Sequence, residues 1–260
     1  MFCLRHFLQQ ARTQRALLRL LLLTCLVLPA TLRADELRVA VASNFAPALE
    51  QLAEEFAAQS GHHLVLITGA TGQQYAQIIN GAPFAMFLSA DSERPKQLEA
   101  EGHAVAGSRF TYAIGKLVLW SADPTLVDAN GDILEKGNFR HLAIANPSLA
   151  PFGLAAKQVL ETTKLWEQLQ TRIVQGENIT QTLQFVQTGN AELGFIAYSQ
   201  WLQLGTEQKG SVWKVPAELH APIIQQGIIL KDSEAARAFA AFIQSASSRK
   251  HIVAQGYELP

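Results

Sequence analysis

The chain has 260 residues, 48% of them apolar, and its 21 basic side chains nearly balance 22 acidic ones. Residues 1–34 hold five of the arginines and both cysteines, Cys3 and Cys25, so the remainder carries 16 basic against 22 acidic residues and no thiol. A net charge near −6 argues against nucleic acid and anionic membrane as partners, and a cysteine-free chain has neither a disulfide framework nor a thiol nucleophile.

The first segment carries Arg5, Arg12, Arg15 and Arg19 and then turns apolar in "LLRLLLLTCLVLPATLRA". This pattern predicts a secretory signal peptide over 1–34, with cleavage after Ala34 and a soluble exported product. Pro29 and Arg33 interrupt the apolar run too early for a span of about 20 residues. Next, "LRVAVAS" reads as a strand and "FAPALEQLAEEFAAQ" as an amphipathic helix with Phe45, Leu49, Leu52 and Phe56 on one stripe. The alternation continues with "HHLVLIT" and "QQYAQIIN", then "FAMFLSA" and "RPKQLEAEG". "YAIGKLVLW" follows as one long strand. The rhythm then restarts with "HLAIANP", a helix "LAAKQVLETTKLWEQL", a helix "TQTLQFVQTG" and a strand "LGFIAYS". The strand "APIIQQGIIL" and the helix "SEAARAFAAFIQSAS" close the chain.

Alternating strands and helices define an α/β protein with mostly parallel strands. Two lobes joined by two crossing strands account for the order: residues 35–115 and 220–260 form one lobe, residues 116–219 the other, with a ligand cleft between them. The C-terminal helix returns to the first lobe.

Catalytic signatures are absent: there is no G-x-S-x-G, P-loop, G-x-G-x-x-G or H-E-x-x-H. His62 and His63 are adjacent in a strand and so point to opposite faces, and His103, His141, His220 and His251 are scattered. Asp91 and Glu93 at "LSADSE" read as ordinary dipole partners of a helix start rather than as a catalytic pair.

What recurs instead is a strand that ends in small or polar residues and a helix that begins at once. Ser43 and Asn44 stand at one such junction, Thr71 and Gly72 at a second, Phe152 and Gly153 at a third, Asn178 and Ile179 at a fourth. Helix N-termini present N–H groups without intrahelical partners and about half a positive charge, so several aimed at one point make an anion site with no Lys or Arg. Strand C-terminal ends are also where open α/β sheets bind ligands. Singly, Ser43 and Asn178 read as N-caps before they read as ligand contacts, Thr71 reads as well as part of a glycine turn, and Phe152 and Tyr198 read as packed aromatics.

These residues resemble those of the periplasmic molybdate-binding proteins of ABC importers, a branch of the two-lobed type II solute-binding fold. The resemblance spans the chain beyond the leader through "RVAVASNFAPAL", "TGATGQQYAQIINGAPFAMFLSAD", "ANPSLAPFGLAAKQVL", "GENITQTLQFVQTGNAELGFIAYSQ" and "FIQSASSRKHIVAQGYELP". It implies a monomeric periplasmic protein, without a cofactor or a chemical step, that captures molybdate or tungstate for a membrane permease. It also implies oxyanion contacts from the Ser43 hydroxyl, from Thr71 in place of the more usual serine, from the N–H groups of Phe152 and Ile179, from the Tyr198 phenol, and from Asn44 as an added donor that shares with Ser43 the capping of the first helix. Ala85 stands where the family commonly has an acidic residue. The rival expectations are a binding protein for sulfate, phosphate or a small organic anion, and an exported hydrolase using Ser43; the hydrolase needs a base, and no histidine lies at any of the junctions.

Overall fold

The computed structural model describes residues 36–260; the expected leader lies outside them. Ten strands and ten α-helices follow in chain order: β1 (Glu36–Ala42), α1 (Ala46–Ser60), β2 (His63–Gly69), α2 (Thr71–Ile79), β3 (Met86–Ser89), α3 (Glu93–Ala100), β4 (Phe110–Gly115), β5 (Leu117–Ser121), α4 (Ile133–Lys136), β6 (Leu142–Ala145), α5 (Pro151–Thr162), α6 (Trp166–Leu169), β7 (Ile173–Gly176), α7 (Ile179–Gln187), β8 (Leu193–Ala197), α8 (Tyr198–Gln203), β9 (Ser211–Lys214), β10 (Ile223–Ile229), α9 (Glu234–Ile243) and α10 (Ala246–Ala254).

The strands form two five-stranded mixed sheets, ordered β2-β1-β3-β10-β4 and β7-β6-β8-β5-β9. In the first, β1 runs parallel to β2 and β3 while β10 is antiparallel to β3 and β4. In the second, β6 runs parallel to β7 and β8 while β5 is antiparallel to β8 and β9. Each sheet is thus the nucleus of one α/β lobe, built to the same plan of three parallel strands extended by two others. The parallel strands are apolar on both faces because helices cover both: Val39, Ala40 and Val41 of β1 and Met86, Phe87 and Leu88 of β3 are fully buried.

The long strand expected over "YAIGKLVLW" is two strands. The chain pairs with β10 as far as Gly115, and from Leu117 it pairs with β8 and β9. Lys116 therefore sits where the chain passes from one sheet to the other; the return runs between Lys214 and Ile223. The single helix expected after "HLAIANP" is also two: α5 ends at Thr162, and Lys164 adopts φ +62°, a left-handed conformation that stops the helix. The C-terminal helices α9 and α10 do pack on the first lobe, with Phe239 and Ile252 in the same cluster as Leu49 and Phe56 of α1. Among the described residues no helix is long and apolar enough to cross a membrane.

Candidate functional site

The C-terminal ends of the parallel strands from both sheets meet at one small cavity. It is lined by Ala42, Ser43 and Asn44 after β1, Gly69, Ala70 and Thr71 after β2, Ala90 after β3, Ala150, Pro151 and Phe152 at the start of α5, and Asn178 and Ile179 at the start of α7. Its volume is about 10 Å³, close to the least that accommodates a water-sized sphere. Among the described residues no ionisable side chain lines it. Five of the six residues singled out in the sequence are therefore brought together.

Thr71 is the first residue of α2 and is 1% exposed. The backbone N–H of Ala90 donates to its Oγ1 at 3.1 Å. A hydroxyl has one hydrogen and two lone pairs, so this contact occupies a lone pair and leaves the O–H free to donate. Ser43 is half-buried; its N–H donates to Gly69 O at 3.0 Å and its carbonyl accepts from Thr180 Oγ1 at 3.4 Å, while its own hydroxyl has no partner among the described residues. Phe152 is the second residue of α5, after Pro151, and Ile179 is the first of α7. At these positions no carbonyl of the same helix can accept the N–H. α5 approaches β6 so closely that a Cβ on Gly153 would lie 2.1 Å from Ala145 O, so only glycine allows the helix start to sit there.

Two local expectations are corrected. Ser43 and Asn44 do not cap α1: the N-cap position is Phe45, without a side-chain cap, because a tight turn (Phe45 N–H to Ala42 O, 2.9 Å) intervenes between strand and helix. That turn leaves the Ser43 hydroxyl without a partner among the described residues. The Asn44 side chain points inward instead, its Nδ2 donating to Gln225 Oε1 at 3.0 Å and to the Tyr257 hydroxyl at 3.3 Å. Its contribution to the cavity is its backbone. Asn178, by contrast, is a true cap, its Oδ1 accepting from Thr180 and Gln181 N–H at 3.0 Å each.

Tyr198 is not brought to the cavity. Successive residues at a strand end face opposite ways. Ala197, the last residue of β8, packs in the cluster that contains Ala42, Ala90, Phe152 and Ile179, and Tyr198 packs on the other side with Val118, Trp120 and Ile196. Its ring stacks on Trp201 at 5.6 Å.

A phenol does support the site, but it is Tyr257. Buried at 3% exposure, it donates to Asn44 O at 2.8 Å and accepts from Ser199 Oγ at 3.0 Å. Gln225 Oε1 also accepts from Tyr112 OH at 3.1 Å, and that phenol is 3.0 Å from Ser89 O. The network joins β3, β4, β10, α8 and the C-terminal tail behind the Ser43–Asn44 turn. Burial pushes the Tyr257 phenol up to about 12 and raises Tyr112 well above its ordinary value, so both keep their protons as donors at neutral pH. Sequence reasoning missed this layer. Its only signal was the closing "AQGYELP", whose contact with Asn44 spans 213 positions.

The lobes touch around the cavity. Gly72 N–H donates to Leu149 O at 2.8 Å, and Arg94 Nη2 donates to Ser148 O at 3.0 Å while Nη1 pairs with Asp91. These bonds link α2 and α3 of one lobe to the loop before α5 of the other.

A two-lobed α/β chain whose strand ends converge on a charge-free ring of hydroxyl and N–H donors defines a binding protein for a small anion. Residues 37–258 match the family described as bacterial extracellular solute-binding protein, and the chain belongs to that family; it is a binding protein and not an enzyme. It is 49% identical over 230 residues to the molybdate-binding protein ModA of Azotobacter vinelandii, covering 87% of this chain and 91% of that one. It is 44% identical to the molybdate-binding protein ModA of Rhodobacter capsulatus, covering 89% and 91%. The solved structure of the Azotobacter vinelandii periplasmic molybdate-binding protein superposes with a TM-score of 0.82 at 46% identity, covering 86% of this chain and 99% of that one.

Proposed function

We propose that this chain captures molybdate, and also tungstate, in the periplasm and delivers it as a monomer to the permease of an ABC importer. The observation that carries the reading is the donor set: two hydroxyls, from Ser43 and Thr71, and backbone N–H groups at Asn44, Thr71, Phe152 and Ile179, with no carboxylate and no cation among the lining residues. A fully ionised tetrahedral dianion offers only acceptors, which match such a set. A protonated ligand brings a hydrogen for which the ring has no dedicated acceptor, and that mismatch is costly in a buried site. The N-termini of α2, α5 and α7 add favourable partial charge. The high identity to proteins named as molybdate-binding supports the choice among oxyanions.

Discrimination against sulfate rests on size, since a smaller ion cannot span donors fixed on two lobes. Molybdate and tungstate are nearly the same size, so size does not separate them and both should bind. Ligand binding to the native state alone raises stability by RT ln(1 + [L]/Kd). A thermal-shift panel at equal concentration is expected to show molybdate and tungstate raising the melting temperature and sulfate and phosphate leaving it unchanged; an equal shift from sulfate overturns the size argument.

A further inference from the structure

The geometry points to a second ligand site, for a small organic monoanion with an apolar body, at the hinge where the chain passes between the sheets. A cavity of about 510 Å³ lies here, framed by both crossings: Ile114 to Val118 on one side and Lys214 to Pro222 on the other. That volume falls in the usual range of small-molecule sites. Tyr198, which the oxyanion cavity does not use, forms part of the wall. Lys214 Nζ lies 5.3 Å from its ring centroid and Lys116 Nζ 6.0 Å.

The charges of the wall decide the class of ligand. Lys116 is neutralised by Glu258 at 2.6 Å. Lys214 makes no ion pair among the described residues; its ammonium rests over the Tyr198 ring. The exposed Lys214 ammonium, without an ion pair among the described residues, therefore borders a cavity whose wall also holds the Lys116–Glu258 pair, His220 and the apolar Ile114, Leu117, Val215 and Pro222. A carboxylate on Lys214, with an unsaturated body against the tyrosine and the aliphatic wall, satisfies both charge and surface.

The site is also placed to communicate with the cleft. Gly115 lines this cavity, and on its other side it is packed so tightly that a Cβ would lie 2.7 Å from Phe152 Cζ. An occupant of the hinge cavity bears on the same backbone against which the oxyanion-site phenylalanine rests. It therefore changes oxyanion affinity, and by linkage the oxyanion changes its own. This coupling rests on the oxyanion reading; the existence of the hinge site does not.

Benzoate is the probe, with benzyl alcohol as the uncharged control, titrated by NMR into protein dialysed free of oxyanion. Saturable benzoate binding is expected, with shifts at the hinge residues, at least tenfold weaker binding for Lys214→Glu, and little response to benzyl alcohol. Saturating benzoate should then change the molybdate Kd of the parent at least threefold and that of Lys214→Glu by less than half as much. Absence of saturable binding, equal binding to the variant, or equal binding of the alcohol overturns the site. Binding as described with an unmoved molybdate Kd overturns the coupling alone, and a failure to bind molybdate at all leaves the benzoate result to be judged by itself.

Discussion

Replacing Thr71 by valine isolates one hydroxyl at nearly constant shape. The side chain is 1% exposed, so no water can stand in for the lost donor. A hydrogen bond to a charged group contributes about 1.5–3 kcal/mol, which corresponds to a loss of about 10- to 150-fold in oxyanion affinity. The same change removes the acceptor that the Ala90 N–H uses at 3.1 Å, and a buried orphan donor costs about 1–3 kcal/mol of folding stability. Thr71→Val therefore lowers both molybdate affinity and the melting temperature of the ligand-free protein, whereas Thr71→Ser, which keeps the oxygen, stays within a few-fold of the parent in affinity. Titration calorimetry and thermal unfolding measure the two effects separately. A valine variant that binds molybdate within threefold of the parent refutes the role of this hydroxyl, whatever its melting temperature.

Ser43→Ala should weaken molybdate binding by a similar factor yet leave ligand-free stability within about 0.5 kcal/mol, because the Ser43 hydroxyl has no partner to lose among the described residues; a large drop in melting temperature would show that the hydroxyl is structural. Tyr198→Phe should keep molybdate affinity within twofold, and a tenfold loss would return Tyr198 to the oxyanion site. For Tyr257, the folded-state value of about 12 lies above the ordinary 10, so the folded state holds this proton more tightly than the unfolded one. The resulting stabilisation, about 3 kcal/mol, is fully present below pH 10 and disappears as pH rises to about 12; denaturant unfolding should show a decline over this window that is shallower in Tyr257→Phe, and identical slopes would refute the assignment.

The parts of the fold legible in the sequence are those specified locally. Each parallel strand is an apolar run followed by small residues and a helix, a pattern that by itself puts Ser43, Thr71, Phe152 and Ile179 at the junctions between strands and helices. The lobe boundary expected at residues 115–116 says where the chain crosses, but not that the strand breaks there, because "YAIGKLVLW" is uniformly strand-like and only the change of partners at Lys116 divides it. The four-residue strands β7 and β9 are short and carry polar residues, so they show no clear period. Tyr198 was misplaced because the choice between two faces turns on a single residue at the end of β8. The Tyr257–Asn44–Gln225 layer joins residues 181 and 213 positions apart, a separation that no local pattern encodes.

The central claim is that one oxyanion is held between the two lobes by Ser43, Thr71 and the N-termini of α2, α5 and α7. A crystal structure of the protein with molybdate, using the anomalous signal of the metal to locate it, tests this most directly. One strong peak per chain is expected, enclosed by the Ser43 and Thr71 hydroxyls and the N–H groups of Phe152 and Ile179. A peak beside Tyr198 and Lys214, or contacts from one lobe only, would contradict that claim.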